Sequence, residues 1–134
     1  MSGLGSRFDG KVAIVTGAAG GIGAVYASAL AEQGASVLIA DLNDEAGQLR
    51  VKEITEAGGR AAYVHTDVSS PDQTRAMADA AVAEFGGIDY LVNNAAIYGG
   101  MKIDVLGNVD WDYYKKFMAV NLDGALLCTR AVLE

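Results

Sequence analysis

The residues with the clearest chemical use stand in one run, Thr16-Gly17-Ala18-Ala19-Gly20-Gly21-Ile22-Gly23. Gly17, Gly20, Gly21 and Gly23 are separated only by alanines and one isoleucine. Such a run suits a pyrophosphate. The first N–H groups of a helix have no intrahelical partner, and the macrodipole adds partial positive charge there. Those amides hold an anion where the backbone can come close, and residues with little or no Cβ allow that approach. The spacing G-x-x-x-G-x-G at Gly17, Gly21 and Gly23 differs from G-x-G-x-x-G, and a flexible strand–helix turn is the alternative use of the cluster.

Other polar positions fall at regular distances behind it. Asp41 follows Gly23 by 18 positions, near the ~20 at which an acidic residue meets a ribose 2′-OH. A carboxylate there accepts hydroxyl bonds and repels a 2′-phosphate. Neither the glycine run nor Leu42 supplies a cation to neutralise one, so the pattern points to NAD rather than NADP. Capping of the following helix is the other use of Asp41. Asp67 and Asn93-Asn94 have alternatives of the same kind, a helix cap and a tight turn. Tyr98 and Lys102 have Tyr-x-x-x-Lys spacing, but Gly99 and Gly100 argue against a helix, and the pair reads as coincidence. Tyr113-Tyr114-Lys115-Lys116 lacks an i, i+4 pair. His65, the one histidine, reads as structural, and Trp111 as core or interface.

These residues need elements to hold them. Residues 12–15 form an apolar run of the kind buried on both faces of a parallel sheet. Ile22, Val25, Tyr26, Ala29 and Leu30 then follow a helical period, and Gly34 stops it. Residues 36–40 read as a second strand ending at Asp41. Asn43 or Asp44 caps a helix to about residue 57, with Gly47 as an internal weak point. Residues 61–65 read as a third strand. Ser70, Pro71 and Gln73 then form a helix start with a capping box. Residues 88–92 read as a fourth strand and 98–107 as a loop. Asp110 caps a helix to about residue 119, continued over 121–134 with Leu122, Ala125, Leu126, Thr129 and Val132 on its apolar side. Residues 1–10 read as a tail. Strands alternating with helices imply a parallel sheet with right-handed crossovers. Gly17, Asp41, Asp67 and Asn94 all fall at carboxyl ends of strands, where such a sheet binds its ligand.

Composition excludes several classes. The chain has 134 residues, 51% of them hydrophobic, enough for one cored domain and too many for disorder. No run approaches the ~18 apolar residues of a membrane span, and the start lacks a secretory h-region. Cys128 is alone, so no intrachain disulfide forms and a reducing cytoplasm is expected. A net charge of −7 argues against a nucleic-acid surface, while an anionic cofactor at a helix terminus stays compatible. No metal site is expected.

Taken in order, the glycine run, Asp41, Asp67-Val68, Asn93-Asn94-Ala95-Ala96 and Asn121 resemble the N-terminal half of the short-chain dehydrogenase/reductase family over about residues 8–134. The expected fold is a Rossmann-type, doubly wound α/β sheet of about four parallel strands in order 3-2-1-4. The resemblance implies that Gly17, Gly20, Gly21, Ile22 and Gly23 line the pyrophosphate. It sets Asp41 and Leu42 at the adenosine ribose, and Asp67 and Val68 at the adenine. Asn94, Ala95 and Ala96 would pass beside the ribose toward the nicotinamide. Ala96 departs from the family's N-N-A-G. Asn121 matches the helix-kinking asparagine of the family's Asn-Ser-Tyr-Lys tetrad, which implies a catalytic role for it. The family's Ser and Tyr-x-x-x-Lys follow beyond Glu134, so residues 1–134 are expected to be a single cofactor-binding domain, truncated before the catalytic half and inactive alone. The activity implied is hydride transfer between NAD(H) and an alcohol or ketone by a homo-oligomer, with the helix from Asn121 in one interface. A stand-alone dinucleotide-binding or interaction module is the alternative.

Overall fold

Five consecutive residues without charge, Val12–Thr16, form β1, and all five are buried. A strand with no exposed face must lie inside a sheet covered on both sides. In the computed structural model, which describes residues 7–134, β1 has a parallel neighbour on each side. The first six residues of the expected tail lie outside the described part. Strand β2 (Ser36–Asp41) pairs with β1, Thr16 opposite Ala40. Strand β3 (Arg60–His65) pairs with β2, Asp41 opposite His65. Strand β4 (Tyr90–Val92) lies on the far side of β1. The order is therefore β3-β2-β1-β4, the expected doubly wound arrangement. Its register brings Thr16, Asp41 and His65 to one edge of the sheet.

Strand residues alternate between the two faces. Val15, Val37 and Ile39 join Ala27 and Ile54 in one core cluster. Ile14 and Leu38 join Met77, Ala81 and Cys128 in the other. Helices α1 (Gly21–Glu32) and α2 (Asp44–Glu56) supply the first cluster. Helix α3 (Pro71–Phe85) supplies the second, together with α5 (Gly124–Leu133), which continues from α4 (Trp111–Met118) through a π-helical turn at Ala119–Asp123.

Four local expectations need correction. The buried face of α1 is Gly23, Ala24, Ala27 and Ala31, not the Ile22–Val25–Tyr26 stripe, which faces out; Ile22 is 67% exposed. Small residues win because α1 lies directly on the glycine turn: a Cβ on Gly23 would stand 2.4 Å from the Gly17 carbonyl oxygen. The same reversal occurs in α5 and the π-helical turn before it, where Gly124 and Cys128 are buried and Leu122 and Leu126 face out. A Cβ on Gly124 would stand 2.7 Å from Val68 Cγ2. The capping box of α3 is only half made. Ser70 Oγ accepts from Gln73 N–H at 3.3 Å, but the Ser70 N–H already donates to the Asp67 carbonyl. Gln73 Oε1 instead accepts from Asp67 N–H at 2.7 Å. Finally, β4 begins at Tyr90 rather than residue 88, because the Asp89 carboxylate accepts from Val12 N–H at 2.8 Å. A side chain takes a bond the ladder would otherwise use.

Candidate functional site

At the carboxyl edge of the sheet, the chain leaves β1 through Gly17 and enters α1 at Gly21. Gly17 has φ +66° and Gly21 φ +56°, the left-handed region that favours glycine. The first backbone bond of α1 runs from Ala24 N–H to the Gly20 carbonyl, so the preceding N–H groups have no partner within the helix. Gly23 has no room for a Cβ. Gly20 differs from all three: its φ is −153°, and a Cβ there would meet nothing within 4 Å. The protein's own packing asks for no glycine at that position. The space is left open at a helix N-terminus, which fits a pyrophosphate that must approach the backbone.

The glycine turn is tied to both neighbouring strand ends. Asp41 Oδ2 accepts from Ala19 N–H at 3.0 Å, and Oδ1 accepts from Asn43 N–H at 3.0 Å. The aspartate thus braces the turn and the start of α2 together, and a carboxylate has further lone pairs for ligand hydroxyls. On the β4 side, Asn94 Nδ2 donates to the carbonyls of Thr16 and Gly17, at 3.0 and 3.2 Å. Thr16 Oγ1 accepts from the Asn94 and Ala95 N–H groups. Asn94 therefore acts as a strut between strand ends.

Between these ends lies a cleft of about 490 Å³. Gly17, Gly20, Asp41 and Leu42 line one part of it. Asp67 and Val68 line another, and Asn94, Ala95 and Ala96 a third. Asp67 Oδ1 is turned onto its own loop, accepting from Ser69 N–H and Oγ–H. Gly21, Ile22, Gly23 and Asn121 are not in the lining. Asn121 lies behind it, in the π-helical turn: its Oδ1 accepts from Ile97 N–H at 2.7 Å, and its Nδ2 donates to the Ile97 carbonyl at 3.0 Å. The carboxamide so holds the backbone of a lining residue.

Sequence reasoning missed Thr66, Ile97, Tyr113, Lys116 and Val120, all of which line the cleft. The last three stand at i, i+3 and i+7 across α4 and its π-helical turn, so a helical-face reading of 113–120 would have found them. Lys116 is the one cation among the lining residues, and none of the ion pairs between described residues uses it. Tyr98 is 82% exposed and outside the lining. Lys102 pairs with Asp110 at 3.1 Å instead, and that carboxylate holds its ammonium pKa above the usual value. Among the described residues, no three His, Cys, Asp or Glu side chains gather as a metal site requires. No helix of the described residues is long and apolar enough to cross a membrane.

Comparison with known proteins gives a consistent result. The family model described as short chain dehydrogenase matches residues 11–134. An uncharacterized oxidoreductase of Mycobacterium tuberculosis is 63% identical over 127 residues, which are 95% of this chain and 51% of that protein. Cyclopentanol dehydrogenase of Comamonas testosteroni is 37% identical over 128 residues, 96% of this chain and 50% of that protein. The crystal structure of a short-chain type dehydrogenase/reductase from Mycobacterium marinum matches with a TM-score of 0.88 at 35% identity. That match covers 95% of this chain and 50% of the other. The chain spans about half the length of the relatives it matches.

Proposed function

The chain belongs to the short-chain dehydrogenase family, and we propose from that membership that it is the cofactor-binding half of an oxidoreductase preferring NAD(H) to NADP(H). The observation that carries the preference is Asp41. Its carboxylate sits at the carboxyl end of β2, hydrogen-bonded to the glycine turn and lining the cleft. The cofactor's adenosine ribose hydroxyls would donate to it, and a 2′-phosphate would meet its charge. Residues 18–20 and 42 carry no cation to offset that charge.

Bound NAD(H) would supply the hydride acceptor or donor, and this chain's residues supply binding and orientation. The open backbone at Gly20, Gly21 and Ile22 faces the pyrophosphate, with Gly23 packed on the turn behind it. Lys116 adds attraction for the phosphates from the α4 wall. Asp67 and Val68 meet the adenine. Asn94, Ala95 and Ala96 lead toward the nicotinamide, with Ala96 an exposed methyl that fits beside it. Asn121 positions Ile97 rather than touching substrate. The substrate class is an alcohol or ketone, supported by the relative named cyclopentanol dehydrogenase. A homo-oligomeric assembly is supported by the outward-facing Leu122 and Leu126.

Titration of NADH and NADPH into wild type and Asp41→Ala tests the reading. NADH is expected to bind more tightly to wild type. The substitution removes hydrogen bonds to a charged acceptor, each worth about 1.5–3 kcal/mol, and should erase most of the preference. A wild type that favours NADPH, or a preference unchanged by the substitution, contradicts it.

A further inference from the structure

Two residues noted in the sequence have no part in the cleft lining: Gly47 inside α2 and His65 at the end of β3. The structure joins them through Tyr63. A Cβ on Gly47 would stand 2.2 Å from Tyr63 Cε2, so the glycine makes the seat for that ring. The phenol oxygen then reaches two acceptors. It lies 2.8 Å from the Asp41 carbonyl oxygen and 2.6 Å from Asp44 Oδ1. His65 Nδ1 is 2.7 Å from the same Asp44 oxygen.

The protonation states suit a fixed link. Burial and the Asp44 carboxylate push the Tyr63 phenol far above its ordinary value, so it stays a donor. The Tyr63 hydroxyl, followed by His65, holds the Asp44 carboxyl below the usual carboxylate range, so it stays an acceptor. Helix α2 does not need this link as a cap, because Asn43 Oδ1 already accepts from Ala46 N–H at 3.0 Å. The link instead fixes Asp41, the residue read above as the acceptor for the ribose hydroxyls. The Asp41 carbonyl accepts from the Thr66 N–H and shares the single Tyr63 hydroxyl proton with Asp44 Oδ1, while the Asp41 side chain faces the cleft.

We propose that Tyr63, seated on Gly47 and backed by His65 through Asp44, is a positioning residue for cofactor selection. It holds the 41–44 turn so that the free lone pairs of Asp41 meet the ribose hydroxyls of NAD(H). This rests on the reading of Asp41 as the selector. Tyr63→Phe keeps the ring in its seat and removes only the hydroxyl. NADH affinity is expected to fall about five- to tenfold, the low end of coupling between linked groups. NADPH affinity should change less, so the preference narrows. Gly47→Ala displaces the ring and should act in the same direction. A purely structural role would lower the unfolding temperature and leave the ratio of the two affinities unchanged. If wild type prefers NADH and Tyr63→Phe keeps the full ratio, the inference is overturned while the Asp41 reading stands. If wild type shows no preference for NADH, both fall.

Discussion

Gly17, Gly20 and Gly23 belong to one motif but are glycines for different reasons. Gly17 needs its positive φ, and Gly23 needs its missing Cβ, which would otherwise meet the Gly17 carbonyl and Asn94 Nδ2. Gly20 needs neither. The cluster itself was legible in the sequence. The division of labour was not, because it depends on Asn94, which is distant in sequence and arrives only through the β1–β4 pairing. A test at this scale is Gly23→Ala. Forcing a methyl into a closed contact typically costs about 1–3 kcal/mol. Its urea unfolding midpoint should fall by a corresponding amount, and an unchanged midpoint would show that the turn yields freely.

At the scale of elements, existence and type were legible, while the inward faces of two helices were not. Period alone selected Ile22, Val25 and Tyr26 in α1, and Leu122 and Leu126 in the π-helical turn and α5, as the packing sides. Close approach to the Gly17 carbonyl in one case and to the Val68 side chain in the other selected the opposite sides, Gly23 with Ala27 and Gly124 with Cys128. Small residues on a helix carry little hydropathy, so their packing role emerges only with the partner surface. At Asn121 the structure has a π-helical turn. The β4 edge has its own handle in Asp89. The Val12 N–H, and to a lesser degree Lys11, hold this carboxyl below the usual carboxylate range. A group whose folded value is lowered contributes stability above its unfolded value, ~3.9, and loses it as pH falls through the folded value. Stability should therefore drop more steeply below about pH 4 in wild type than in Asp89→Asn. Thermal unfolding at pH 7 and pH 3 measures this, and equal losses in the two proteins would remove Asp89 from the account.

For the whole molecule, the strand order 3-2-1-4 followed from the alternation of strands and helices together with the family resemblance. What stayed hidden was the fourth wall of the cleft. Tyr113, Lys116 and Val120 come from helical segments that no motif marks, and they reach the site only because α5 packs against α3 and carries α4 over the sheet edge. The result is a chain of net charge −7 whose cleft offers an open helix N-terminus and one lysine to an anionic ligand. The central claim is that the gap beside Gly20 exists for a pyrophosphate. Gly20→Val tests it most directly, because the fold has room for the side chain and the ligand would not. We predict a thermal unfolding temperature within about 2 °C of wild type, since surface changes usually stay within ~0.5 kcal/mol. NADH binding in the same sample should weaken by at least about tenfold, roughly 1.4 kcal/mol. A Gly20→Val protein that binds NADH as wild type does would contradict the account.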